Sequence, residues 1–393
     1  MSYKTWPAKE LISKFARSPP IETLDEKATV SSQVGYLETV AEHDDRFASP
    51  GALERLPLEI QQNVCAFLDF QSLSRLSLVS LRTRDVVTSC PEYADITKYA
   101  RHAVVALRQT GLLGAHSALT LRAALRSKQC VCCGDHGVVL FLPTCERACL
   151  TCLWANPAFW VIPAEQAKRY FALAPWRIQR LPTASIAPWF YTIRTSDDPL
   201  PVKSKFSVQK KYVSVRAVKE LAIQVHGSVE NIEKAVACQK NLNFEILKDR
   251  FFRQIVMGSF GKLRSVILNQ KHVPANYYPS IGSIPFPFFR NEGGNKTVEN
   301  ALWCRGCEKL FSHFQAQGLP EKLQAKLVPD GYGPYSVLSR IRFCARAREE
   351  FLEHAKSCGG VREIVDKGLP RVDTITNDWW TDLELKAYLD DQD

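Results

Sequence analysis

Thirteen cysteines are spread along 393 residues, and most fall into two groups whose spacing suits metal binding. Cys130-Val131-Cys132-Cys133-Gly134 is followed by Cys145, Cys149 and Cys152. Cys130, Cys133, Cys149 and Cys152 give C-x2-C-x15-C-x2-C, the spacing of a structural zinc site. Two residues between thiolates let one tight turn present both sulfurs to the same ion. Gly134 frees the backbone just after that turn. Val138 to Leu142 reads as a strand returning toward the second pair. Four thiolates complete a tetrahedron and leave no position for water, so this site is expected to hold structure and do no chemistry. Cys132 and Cys145 are left over, and either could replace a member of the set.

Cys304-Arg305-Gly306-Cys307 is a second two-residue knuckle. Downstream, a helix read as continuous through Cys344 and His354 is stopped by Gly359-Gly360. His354 and Cys358, four apart, share one face of it. Cys304, Cys307, His354 and Cys358 are therefore the expected ligands of a second zinc. Because 46 residues separate Cys307 from His354, the nearer His313 is a rival ligand. Cys344, ten residues before His354, would lie about 15 Å away along such a helix. It reads as core with Ile341, Leu352 and Ala355.

An odd number of cysteines argues against a closed disulfide framework. The N-terminus has no apolar leader, and no run of about 18 apolar residues occurs. A reducing compartment, cytosol or nucleus, and no membrane are expected. The sequon Asn295-Lys296-Thr297 is read as chance. The net charge is +10, with the basic residues dispersed. Lys203, Lys205, Lys210 and Lys211 alternate with Phe206 and Tyr212, which leaves a nucleic-acid binder as the rival reading. A solvated basic face is preferred. No H-E-x-x-H, G-x-S-x-G or phosphate-binding loop is present, so no catalytic residue is assigned.

The expected fold is helix-rich α+β: an N-terminal helical bundle followed by a mixed, zinc-stapled body. Residues 1–50 read as a disordered leader with a short helix near Ala8–Ala16. Residues 51–95 form the bundle, and 96–128 a helical linker with Val104, Leu107, Leu112 and Leu121 on its apolar faces. Residues 129–160 hold the first zinc segment. Residues 161–300 are mixed, with a strand at Trp189–Ile193, helices at Val218–Val225 and Asn231–Ala237, and a Pro/Gly-rich loop at Pro274–Gly294. Residues 301–362 form a zinc-stapled helical segment, and 363–393 an acidic tail.

In residues 53–89, Pro57 suits a helix start. Ile60, Val64, Phe67 and Leu68 follow at i, i+4, i+7 and i+8, one helical face. Ser72 is read as the cap of a second helix carrying Leu73, Leu76 and Val79. About 40 residues cannot bury this much apolar surface alone, so the unit calls for a partner. The sequence Leu53-x-x-Leu56-Pro57-x-Glu59-Ile60, an apolar helix, and Ser72-Leu73-x-x-Leu76-Ser77-x-Val79-Ser80 resembles the F-box motif. Leu81 stands where that family usually has a basic residue, with Arg82 and Arg84 close by.

The resemblance implies that Leu53, Leu56, Pro57, Ile60, Val64, Leu68, Leu73, Leu76 and Val79 dock on a Skp-type adaptor. That adaptor links to a cullin and a RING subunit. The chain would then recruit an unknown substrate protein through its zinc-stabilised body, without catalysing ubiquitin transfer. The alternative is a zinc-dependent nucleic-acid-binding or scaffold protein outside any ligase. The first cysteine segment, with Arg147 two residues before Cys149, resembles those that follow the F-box in a group of fungal F-box proteins. It lacks the eight-ligand alternation of a RING finger. The same group often ends in C-x-x-C with a later His-x3-Cys, which supports the second set.

Overall fold

In residues 51–126 the chain folds as a run of short helices, most of them begun by a polar or proline residue. The computed structural model describes residues 3–17, 51–186, 191–193, 202–204, 210–239, 250–258, 260, 282–292, 295–318, 327–328 and 332–367. A 3-10 turn at Tyr3–Thr5 precedes α1 (Ala8–Phe15) and β1 (Ala16–Arg17). After a 3-10 turn at Gly51–Arg55 come α2 (Leu58–Phe67), α3 (Phe70–Leu76), α4 (Leu81–Ser89), α5 (Pro91–Tyr99), α6 (Arg101–Gln109) and α7 (Ala118–Arg126).

Pro57 immediately precedes α2. The cap of α3 is Asp69, whose carboxylate accepts from the Ser72 N–H at 2.8 Å. Ser72, expected to cap, instead lies inside the helix and donates its hydroxyl to Asp69 at 2.8 Å. Ser80 and Thr83 exchange side-chain and backbone hydrogen bonds in a capping box at α4.

The middle of the chain adds three small antiparallel sheets. β2 (Val139–Phe141) lies between β3 (Glu146–Ala148) and β9 (Ser283–Pro285). β8 (Lys210–Ser214) lies between β4 (Val161–Pro163) and β5 (Thr183–Ile186). β6 (Tyr191–Ile193) pairs with β7 (Val202–Ser204). Around them run α8 (Leu150–Ala155), α9 (Ala164–Tyr170), α10 (Pro175–Ile178), α11 (Val215–His226), α12 (Val229–Ala237) and α13 (Arg250–Phe252). The predicted Val218–Val225 and Asn231–Ala237 helices fall within α11 and α12. Of the predicted Trp189–Ile193 strand, Tyr191–Ile193 forms β6, and Trp189 and Phe190 lie outside the described residues.

Where a loop was expected at Pro274–Gly294, the described part holds β9 and β10 (Phe288–Glu292), which forms a hairpin with β11 (Asn295–Glu299). Residues 274–281 and 293–294 lie outside the described residues. The C-terminal part holds β12 (Trp303–Cys304), α14 (Arg305–Gln317), α15 (Pro334–Phe343), α16 (Arg348–Ser357) and α17 (Gly359–Lys367).

Two expectations fail here for physical reasons. The helix through Cys344 is broken, because Leu302 and Arg346 exchange two backbone hydrogen bonds of 2.9 Å that draw residues 344–347 out of helical geometry. The helix that holds His354 ends at Ser357 with Cys358 as its cap, and Gly359-Gly360 open the next helix where a stop was expected. The second concerns the leader read as disordered over residues 1–50, of which 3–17 fold while 1–2 and 18–50 lie outside the described residues. Residues 3–17 are ordered because β1 pairs with β12, Ala16 opposite Cys304 and Arg17 opposite Trp303, and Leu11 and Phe15 are buried there. Of the predicted tail, residues 363–367 belong to α17, and 368–393 lie outside the described residues.

The largest core runs from Cys65, Phe70 and Leu73 through Leu107, Leu121 and Leu125 to Leu140, Phe141 and the first cysteine group. A second gathers Trp160, Phe171, Val213, Phe251 and Ile255, with Trp160 and Phe251 stacked 5.8 Å apart. A third joins Leu11 and Phe15 to Cys304, Cys307, Phe351 and Cys358. The helix-rich α+β expectation holds.

Candidate docking face and metal centres

The first knuckle is a tight hairpin. Gly134 N–H donates to the Cys130 carbonyl at 3.0 Å, Cys130 N–H donates to the Asp135 carbonyl at 2.7 Å, and Gly134 takes φ 80. That dihedral favours glycine. β2 and β3 return the chain to Cys149, whose sulfur caps α8 by accepting from the Cys152 N–H at 3.3 Å. The sulfurs of Cys130, Cys133, Cys149 and Cys152 all lie within 4.8 Å of one another, and Cys133 and Cys149 are 3.5 Å apart. A tetrahedral ion with bonds of about 2.3 Å needs sulfur separations of about 3.8 Å, so the set fits.

Hydrogen bonds from Cys133, Cys149 and Cys152 push the Cys130 thiol far down. The thiols of Cys149 and Cys152 are pushed up in turn. Four thiolates this close repel one another unless a cation sits among them. Cys132 is outside this set and accepts a hydrogen bond from the Asn156 side chain at 3.1 Å. Cys145 is also outside it, and burial pushes its thiol up to about 12.

The second group forms across a long gap. Cys304 ends β12, Cys307 lies in the first turn of α14, His354 lies in the last turn of α16, and Cys358 sits between α16 and α17. The four ligand atoms lie within 4.8 Å of one another. Cys307 Sγ is 3.2 Å from His354 Nε2, and Cys358 Sγ is 3.8 Å from Cys304 and 4.0 Å from Cys307. Hydrogen bonds from Cys307 and Cys358 pull the Cys304 thiol down. Cys358 is pushed up to about 12, chiefly by its bond to Cys304. His313 is buried on α14 outside this set, and Cys344 is half-buried, its thiol raised by burial.

The helices of residues 58–89 show an unusual polarity. Ile60, Val64 and Phe67 line the outer face of α2, with Phe67 70% exposed. The turn after α3 adds Leu78 and Val79, and α4 begins with exposed Leu81. Leu53, Leu56 and Leu58 are exposed at the entrance to α2. The inner face of α2 is instead Gln61, Cys65 and Ala66. Grouped exposed apolar side chains of this kind are the surfaces on which partners commonly dock.

Residues 53–95 match the F-box domain family. The chain carries an F-box domain. No curated protein and no solved structure matches it further. F-box domains dock on Skp-type adaptors in Skp–cullin–F-box ubiquitin ligases, where the F-box subunit serves as a non-catalytic adaptor. The F-box places Leu53, Leu56, Pro57, Ile60, Val64 and Val79 outward. Leu73 is 0% exposed, and Leu68 and Leu76 pack partly into the F-box's own core. Leu58, Phe67, Leu78 and Leu81 extend the exposed strip, and the spacing of Phe67 after Ile60 and Val64 was the signal for it.

Sequence reasoning gave no structural role to Arg147. It is 1% exposed and donates to the carbonyls of Ala124, Gly137 and Phe286 at 2.9 Å, and also to that of Pro287. Burial pushes it down to about 9. One guanidinium thus ties α7, the first knuckle and the β9–β10 connection together. Of the basic-aromatic stretch, Tyr212 is buried in β8 and cannot stack on a base, and Lys205 and Phe206 lie outside the described residues. No helix among the described residues is long and apolar enough to cross a membrane.

Proposed function

We propose that this protein recruits a substrate protein to a Skp–cullin–F-box ubiquitin ligase and works in the cytosol or nucleus. The observation that carries this reading is the outward strip of Ile60, Val64 and Phe67 in α2, continued by Leu78, Val79 and Leu81, on an F-box domain. Leu53, Leu56 and Pro57 extend it at one end. This strip packs into the adaptor's groove, while Leu68, Leu73 and Leu76 hold the helices in shape from behind.

Zinc is the ion that suits both ligand sets, four cysteines at residues 130, 133, 149 and 152, and three cysteines with one histidine at 304, 307, 358 and 354. Each set supplies four ligands, so each closes the tetrahedron and fixes chain segments. The F-box core runs without interruption into the first cysteine group, so the adaptor arm is joined firmly to that part of the body. Its contribution is proximity: the substrate is held where other subunits deliver ubiquitin.

Co-purification with a Skp-type adaptor and cullin tests the reading. Wild type is expected to retain both, and Ile60→Asp/Phe67→Asp to lose both while keeping its metal. Retention of adaptor by that variant would overturn the assignment.

A further inference from the structure

We infer that residues 3–17 are a strap whose docking governs how firmly the second metal centre holds its ion. The inference rests on the metal reading above and concerns the described segment farthest in sequence from the ligands.

The strap reaches the neighbourhood of each ligand by a different contact. β1 is the strand partner of Cys304 itself. Arg17 pairs with Glu308, the residue after Cys307, at 2.6 Å, and donates to the Arg342 carbonyl at 3.2 Å. The Tyr3 hydroxyl donates to the carbonyl of Lys356, between His354 and Cys358, at 3.1 Å. Leu11 and Phe15 are buried in the core that contains Cys304, Cys307 and Cys358. Trp6 stacks on Phe15 at 5.9 Å, and the Lys14 ammonium lies 4.1 Å from the Trp6 ring, so the outer side is closed by the strap's own residues.

Residues 18–52 separate the strap from the F-box domain in sequence. Among the described residues, these contacts hold the strap in place. A short segment held to a core by a few contacts opens more readily than the core itself does. When it opens, Cys304 loses its strand partner and water reaches the thiolates. An ion bound through labile thiolate and imidazole bonds then exchanges. Among the described residues the first site, built into the main core, has no such cover and would not respond.

The test uses the full chain and Phe15→Ser, with a protein lacking residues 1–17 as a second variant. Zinc per chain is measured, followed by the rate of zinc transfer to a colorimetric chelator. Wild type is expected to hold two ions, both slow to leave. In each variant one ion should leave at least ten-fold faster while the other keeps its rate. Cobalt substitution identifies the fast ion, because a site of three cysteines and a histidine differs in its absorption bands from a site of four cysteines. Adding a peptide of residues 1–17 to the shortened protein should slow the fast ion again. Unchanged rates for both ions, equal acceleration of both, or a fast ion held by the four-cysteine site would overturn the strap. If the shortened protein does not fold, Phe15→Ser decides alone. Wild type without zinc would instead overturn the metal reading itself.

Discussion

Gly306 and Gly360 meet backbone to backbone where α14 crosses α17. A Cβ on Gly360 would lie 2.1 Å from the Gly306 carbonyl oxygen, and one on Gly306 would lie 2.3 Å from the Val361 nitrogen. Gly306 sits between Cys304 and Cys307, and Gly360 lies two residues after Cys358. This close crossing carries the distant knuckle onto Cys358. Gly360→Ala is expected to force the helices apart and cost about 2 to 3 kcal/mol. It should also lower the metal content from two ions toward one. Thermal unfolding together with elemental analysis checks both, and unchanged metal content would count against the crossing as the organising contact.

Arg147 gives a second prediction. Arg147→Met would fill similar space but leave the carbonyls of Ala124, Gly137, Phe286 and Pro287 without their donor in a buried place. The expected loss is about 3 to 5 kcal/mol in denaturant unfolding. Gly137→Ala should behave alike, since its Cβ would meet Arg147 Cγ at 2.4 Å.

The two faces of the F-box helices should separate in their response to mutation. Ile60→Asp and Phe67→Asp alter exposed positions, so their stability should stay within about 0.5 kcal/mol of wild type while adaptor binding is lost. Leu73→Ala empties a fully buried position and should cost about 2 to 4 kcal/mol. Parallel unfolding curves and adaptor pull-downs make the comparison. Loss of both properties in Phe67→Asp would mean that Phe67 supports the fold.

His136 supplies a pH dependence. Burial pushes it down to about 4, opposed by Glu350 and assisted by Arg147 and Lys128, and its ring meets Phe288 edge-on at 4.7 Å. In the unfolded chain it titrates near 6.5. The folded form therefore keeps a neutral ring that the unfolded form protonates. Its contribution is complete above about pH 6.5 and falls as the pH drops toward 4, by at most about 3 kcal/mol. His136→Gln should be less sensitive than wild type between pH 7 and pH 5 in urea unfolding. Equal slopes would refute it.

Much of the chemistry was local, and local chemistry is legible in sequence. Two cysteines separated by two residues imply one turn whatever surrounds them, and residues 304 and 307 could be read that way as readily as 130 and 133. The helical period around Ile60, Val64 and Phe67 marked one apolar face, and the family pattern assigned it to a partner. Tertiary structure decided which apolar residues remain outside. Leu73 and Phe67 are both strongly apolar, but Leu73 is buried in the largest core and Phe67 stays 70% exposed.

The same division holds at the chain ends. A short helix near Ala8–Ala16 was visible as a pattern, but its destination was not, because β1 finds its partner nearly 290 residues away, Ala16 opposite Cys304. The break at residues 344–347 likewise depends on Leu302, which no local propensity can anticipate. By itself the sequence determined the ligand types, the turn geometry and the apolar periodicity, since these depend on neighbours along the chain. The tertiary structure decided the burial of Arg147, the glycine crossing and the strap, since each is a contact between segments that only packing brings together.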